Sequence, residues 1–215
     1  MCPMSEAGYG DFEFERKFFV RTLPTDLWDE PTPDVIVQSY FLASEGYALR
    51  VRLQAPAPAL LARADTATDA ATILNELTGQ WELCTLTAKG PAAGGTRYEA
   101  ERELDPIVAE EMVRRGGAKV IKLRHAVWLG EDGWVLDQFL GTNAPLVIAE
   151  CERESPVTDL TIPAFCTTEI SDDDRFANEQ LAARPYSAWA RQFKSELSTR
   201  GPRYLQAFGS NTSGR

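Results

Sequence analysis

Apolar and polar residues alternate at a period of two along much of this chain, which predicts a protein built mainly of strands. The pattern runs through segments near 11–20, 35–43, 47–54, 80–89, 96–104, 119–129, 133–140 and 146–154. "EDG" at 131–133 predicts a hairpin turn between two of them, and "GPAAGG" at 90–95 joins another pair. Helical stretches are fewer. "DPIVAEEMVRRGG" has Asp105 as N-cap, Pro106 at the first helical position and Gly116 as its stop. "DTATDAATILNELTG" follows a Pro/Ala-rich connector and ends at Gly79. From 172 onward, "DDDRFANEQLAARPYSAWARQFKSEL" predicts two helices broken at Pro185.

The polar faces carry a second pattern. Residues i and i+2 of a strand share a face. "FEFERKF" therefore sets Glu13, Glu15 and Lys17 opposite Phe12, Phe14 and Phe18. By the same rule Arg50 aligns with Arg52, Lys89 with Thr85 and Thr87, Arg97 with Glu99 and Glu101, Lys122 with Arg124, and Glu150 with Glu152, while "WVLDQF" presents Asp137. A solvated face intersperses its signs. A like-charged pair roughly 6–7 Å apart costs about 2–3 kcal/mol at an effective dielectric near 20. Such pairs are sensible where a ligand compensates them: acidic pairs hold hard divalent cations through oxygen, and basic pairs hold phosphate oxygens. The apolar opposite faces need a cover. A closed antiparallel barrel, charged inside and overlaid by helices outside, satisfies both demands and leaves no free sheet edge. The expected class is α+β.

Composition narrows the partners. The chain has 215 residues, enough for one domain with an appendage, and a formal net charge of −10. That charge argues against a duplex nucleic-acid binder or an anionic-membrane binder. Cys2, Cys84, Cys151 and Cys166 form no CxxC or Cys/His pattern, so zinc is not expected and a reducing cytoplasm is. Residues 1–10 lack the basic and apolar regions of a signal peptide, and no apolar run reaches transmembrane length. "GPAAGG" lacks the GK[ST] of a phosphate-binding loop. His125, the one histidine, alternates with Lys122 and Arg124 and is expected to face away from the charged side; Lys119 is out of register with them. The helix dipole explains acidic residues 172–174 without a metal.

Glu13-Phe-Glu15-Arg-Lys17 resembles the ExExK signature of the CYTH superfamily, the triphosphate tunnel metalloenzymes. "SYFLASEGYALRVRL", "TLTAKG", "RYEAERELD", "KLRHAV", "VLDQFLG" and "AECERES" follow in that family's order, and "TEISDDDRFANEQLA" is similar to the end of its bacterial inorganic triphosphatase branch. The resemblance implies a closed eight-stranded antiparallel barrel over 11–183; within it, residues at about 55–79 are expected to be an insertion that carries a helix over one mouth. A C-terminal helical extension would follow at 184–208, and a disordered tail at 209–215. It implies hydrolysis of a triphosphate, most of all inorganic tripolyphosphate, with Mg²⁺ or Mn²⁺. Glu13, Glu15, Glu150 and Glu152 would be metal ligands, and together with Lys17 and Tyr40 the catalytic set. Lys17, Arg50, Arg52, Lys89, Arg97, Lys122 and Arg124 would bind the substrate, and Glu99, Glu101 and Asp137 would complete the lining. The resemblance also brings in Arg175 as a candidate for closing the tunnel. The departures are the insertion, the helices after 184, and Arg153 in "CERES", where an apolar residue is usual. The alternatives are a thiamine triphosphatase, a class IV adenylyl cyclase-like activity, or a non-catalytic polyphosphate-binding domain. The expected state is a cytoplasmic monomer or homodimer with a small-molecule triphosphate as partner, and no nucleic acid or membrane.

Overall fold

The structure, a computed structural model, describes residues 12–24, 32–56, 67–93 and 96–214. The strands are β1 (Phe12–Val20), β2 (Asp34–Ser44), β3 (Tyr47–Pro56), β4 (Leu83–Ala93), β5 (Thr96–Glu103), β6 (Ala118–Leu129), β7 (Asp132–Phe139), β8 (Val147–Arg153), β9 (Thr161–Ile162), β10 (Cys166–Glu169) and β11 (Thr212–Ser213). The helices are α1 (Ala70–Glu76), α2 (Pro106–Arg115), α3 (Asn178–Ala183) and α4 (Ala190–Arg200). Eight strands pair in the order β1-β5-β4-β3-β2-β6-β7-β8, and β8 pairs back onto β1, closing an antiparallel barrel. The period-two segments are its staves.

Register sets which inward residues meet. Lys17 lies opposite Glu150 and Glu15 opposite Glu152 across β1–β8. Lys89 lies opposite Glu99 across β4–β5, and Arg124 opposite Asp137 across β6–β7. β1 splits its other edge: Phe12–Phe14 pair with β5, and Phe18–Val20 pair with β10. At that seam Ser171 Oγ accepts from the Lys17 amide at 2.9 Å, and the Ile170 amide donates to the Lys17 carbonyl at 2.9 Å.

Two apolar clusters cover the barrel outside. Val35, Val37, Val51, Leu53, Ile121 and Leu123 pack beneath Ile73 and Leu74 of α1 and Ala109 and Val113 of α2. The expected placement of the insertion helix over a mouth is thus corrected. Its apolar pair needs an apolar wall, and the outer face of β2, β3 and β6 supplies one. The connector at 57–66 lies outside the described residues. The second cluster joins Phe14, Phe18, Trp134, Leu136 and Cys151 to Val157, Leu160 and Ile162. Arg153 stays at its edge because Asp132 accepts from it in a fork, at 2.7 and 2.9 Å.

A third cluster closes one end of the barrel from inside. Phe19, Tyr40, Ala48, Val120, Phe139 and Ile148 continue the inward parity of their strands and meet Ile170, Phe176, Leu181, Tyr186, Trp189 and Phe193 from the C-terminal segment. Phe176 stacks edge-on against Trp189 and Phe193, with ring centroids 5.0 and 4.9 Å apart. The segment after 170 is therefore a stopper in the barrel end. The expected break at Pro185 separates α3 from a short 3₁₀ turn at Tyr186–Ala188.

The expected disorder at 209–215 is a second correction. β11 runs parallel to β9, and Asn211 Oδ1 accepts from Arg16 at 2.7 Å. The cause is Arg16, an outward residue of β1 that is completely buried. Glu169 takes two of its donors, at 2.8 and 2.7 Å, and the tail supplies an acceptor for a third. Arg215 lies outside the described residues.

Candidate active site: a charged tunnel with one closed end

The inward faces enclose a cavity of about 410 Å³, lined by Glu13, Glu15, Lys17, Arg50, Arg52, Lys89, Glu99, Glu101, Lys122, Arg124, Glu150 and Glu152, with Phe12 and Asn178. Most members of the like-signed pairs are neutralised by a neighbour of opposite charge. Lys17 bridges Glu15 at 2.9 Å and Glu150 at 3.2 Å. Lys89 meets Glu13 at 2.8 Å and also Glu99. Arg50 meets Glu99 at 2.9 Å, and Thr87 Oγ1, which accepts from Arg50 Nε at 3.2 Å, donates to Glu101 at 2.7 Å. Asp137, wholly buried, ties Lys122 to Arg124, accepting from Arg124 at 2.8 and 2.7 Å.

Two groups are left over. Among the described residues Arg52 makes no ion pair; its Nε and Arg50 Nη1 face the Gln38 amide oxygen at 3.2 and 3.1 Å in the amide orientation that matches donors to acceptors. Burial, then repulsion from Arg50 and Arg124, pushes Arg52 down to about 10. Among the described residues Glu152 has no cationic partner either. Burial, then Glu13, Glu15 and Glu150, pushes its carboxyl up to about 7. Burial also raises Glu15 and Glu99, whereas Glu13 is held well below the usual carboxylate range. Burial opposes that lowering, but the hydrogen bond with Glu99 and the ammonium groups of Lys89 and Lys17 outweigh it.

Over 103 residues the chain is 34% identical to an inorganic triphosphatase from Acetivibrio thermocellus. That likeness, to an inorganic triphosphatase, agrees with the resemblance that the sequence motifs carry. The match spans 47% of this chain and 66% of that relative, just under two thirds of its length. No protein-family model matches the chain. A solved inorganic triphosphatase shares 24% identity, covering 79% of this chain and 93% of its own, with a TM-score of 0.47. A putative adenylyl cyclase from Hippeastrum, described as having a dominant triphosphatase activity, shares 16% identity over 66% of this chain and 80% of its own, with a TM-score of 0.39.

Three of the residues assigned to the tunnel by resemblance lie elsewhere. Arg97 does not border the main cavity. It donates to the carbonyls of Gly90 and Gly46 at 2.7 and 2.9 Å and to Glu179 at 2.7 Å, so it fastens α3 to two hairpin tips. Tyr40 belongs to the inner apolar ring, with its hydroxyl 3.2 Å from the Gln38 amide. Burial, opposed by Arg50, pushes its hydroxyl up to about 12. Asp137 lies behind Lys122 and Arg124 and does not reach the open volume. Lys119 does not enter either, because the carbonyls of Gly116 and Gly117 hold it at 2.7 and 3.1 Å. Gly117 has a positive φ of 64°, and a Cβ there would lie 2.2 Å from the Tyr40 carbonyl oxygen. His125 is buried and does not line the cavity. Arg175 is held by Asp173 and Glu196 and lies over Trp189, inside the stopper. Asn178 lines the tunnel although the sequence pattern marks it only as part of a polar helix.

Proposed function

We propose that this protein hydrolyses inorganic tripolyphosphate with Mg²⁺ or Mn²⁺, binding the chain of phosphates inside the tunnel. The observation that carries the proposal is the unfinished charge network around a closed-ended cavity. Among the described residues Arg52 lacks a carboxylate and Glu152 lacks a cation, although their neighbours are paired. An anion and a cation entering together would complete both. The similarity to the Acetivibrio thermocellus inorganic triphosphatase supports the same reading.

The residues fit a hard divalent cation by donor type. Glu13, Glu15, Glu150 and Glu152 offer carboxylate oxygens, and the Glu152 carboxyl is raised by burial and then by its acidic neighbours, whose negative charge a cation relieves. Among the described residues no group of three potential ligands forms a ready-made cage. The reason is visible: Glu13, Glu15 and Glu150 each rest on a lysine. When bound, a divalent cation neutralises phosphate charge and lowers the pKa of a water. The remaining work falls to the side chains. Arg50, Arg52, Lys17, Lys89, Lys122 and Arg124 present donors to phosphate oxygens, with Asp137 holding the last two in place. As lysines turn to phosphate they release their carboxylates. The stopper excludes bulk water from the closed end.

The same stopper bears on the alternatives. A nucleoside or thiamine substituent has to remain at the open mouth, where no nucleoside-reading motif is seen. A phosphate-release panel with tripolyphosphate, ATP and thiamine triphosphate, each with Mg²⁺ or Mn²⁺, tests the proposal. Fastest release from tripolyphosphate is expected; cyclic AMP as the main product would overturn it.

A further inference from the structure

The stopper sends one side chain into the tunnel. Asn178, the first residue of α3, lines the cavity beside the charged residues. Its Oδ1 is buried without a hydrogen-bond partner, and the side chain makes no hydrogen bond among the described residues. Its surroundings are otherwise well satisfied. The next residue, Glu179, is gripped by Arg97, which also holds the Gly46 and Gly90 carbonyls, so the backbone carrying Asn178 is fixed to two barrel hairpins. A half-buried amide whose Oδ1 is buried without a partner, on a rigid mount and lining the charged cavity, is a group awaiting a ligand.

We propose that Asn178 is a substrate-contacting specificity residue that reads the terminal phosphate of a linear triphosphate at the closed end of the tunnel. This rests on the triphosphatase reading above. An amide suits the place because it offers two N–H donors to phosphate oxygens and one acceptor to a neighbouring ammonium, without adding charge. A carboxylate there would repel the phosphate, and a cation would compete for the carboxylates. The apolar ring of Phe19, Tyr40, Val120, Phe139 and Ile148 and the aromatic cluster behind it fill the barrel end next to Asn178. The phosphate that meets Asn178 is therefore an unsubstituted end. The substrate class is a phosphate chain with at least one free terminus, which enters that end first.

The test compares Asn178→Ala and Asn178→Asp with the wild-type chain and with Glu179→Gln, which loosens the stopper without touching the cavity. Steady-state kinetics on tripolyphosphate and melting curves with and without tripolyphosphate, the latter in the absence of metal, are the readouts. Asn178→Ala is expected to raise KM about tenfold, the scale of one lost hydrogen bond to a charged group, with a smaller change in kcat. Its melting temperature without ligand is expected to hold or rise, since no bond is lost, while the tripolyphosphate-induced shift shrinks. Asn178→Asp is expected to weaken binding further. Glu179→Gln is expected to lower the melting temperature itself. If wild type turns over tripolyphosphate and Asn178→Ala has the same KM and ligand-induced shift, this inference alone is overturned. It is equally overturned if Asn178→Ala melts lower and copies Glu179→Gln. If wild type neither turns over tripolyphosphate nor is stabilised by it, the triphosphatase reading falls and this inference with it.

Discussion

β1 carries two buried ion-pair systems on its two faces, and they differ in completeness. Outside, Arg16 is fully buried; Glu169 holds it with two bonds and Asn211 with a third, and Phe18 and Phe208 flank its guanidinium. Glu169 in turn accepts from the Leu205 amide at 2.7 Å and from Ser171 at 3.0 Å. Neither Arg16 nor Glu169 is exposed or lines the tunnel cavity. Inside, Glu13, Glu15 and Lys17 also have partners, but the network borders a cavity and leaves Arg52 and Glu152 over. A finished network is a fastener. An unfinished one beside open space is what the proposed triphosphate site calls for.

Substitutions can break this contrast from either side. The largest effect is expected outside. Arg16→Met leaves Glu169 buried and uncompensated, which costs about 3–5 kcal/mol. Chemical denaturation is expected to show that loss, and proteolysis is expected to cut first in the released tail. Turnover well below the melting temperature is expected to change little. Inside, the order reverses. Glu15→Gln or Glu13→Gln is expected to lower metal-dependent turnover on the order of 10²-fold, the scale of one lost preorganised electrostatic contact, while stability without metal holds or rises. Arg52→Ala is the smallest of the set. Arg52 is pushed down by burial and by Arg50 and Arg124, so removing it is expected to leave the fold as stable or more so. KM for tripolyphosphate is expected to rise roughly tenfold, as for one charge-assisted hydrogen bond. An Arg52→Ala variant that melts lower with unchanged KM would place Arg52 with Arg16 as a fastener.

The staves and their inward residues were legible because parity needs only alternation: Glu13, Glu15, Arg50, Arg52, Lys122, Arg124, Glu150 and Glu152 all line the cavity as expected. Register was not legible, and register decides which charges meet. The like-signed pairs therefore looked uncompensated along the strands, although Lys17 reaches Glu150 and Lys89 reaches Glu13 and Glu99 across them, with Lys17 also pairing Glu15 within β1. Arg97 shares the inward parity of Glu99 but is turned aside by Glu179, a helix residue some eighty positions away. Arg16 could not be recognised as a fastener, because Glu169 sits on a four-residue strand too short for a clear pattern and Asn211 on a tail whose composition looks disordered. The stopper was hidden for a similar reason. Its aromatic residues read as an ordinary apolar helix face, and only the fold shows that this face fills the end of a barrel.

The most direct measurement is the melting temperature of wild type and Glu15→Gln, each alone, with Mg²⁺ or Mn²⁺, and with tripolyphosphate added. An unfinished inner network predicts that wild type is stabilised by the metal, and more by metal and tripolyphosphate together. Glu15→Gln should start as high or higher and gain little from the metal. Identical curves for the two proteins under all conditions, or a wild type indifferent to both ligands, would contradict the account and make "FEFERK" the inner wall of a purely structural barrel.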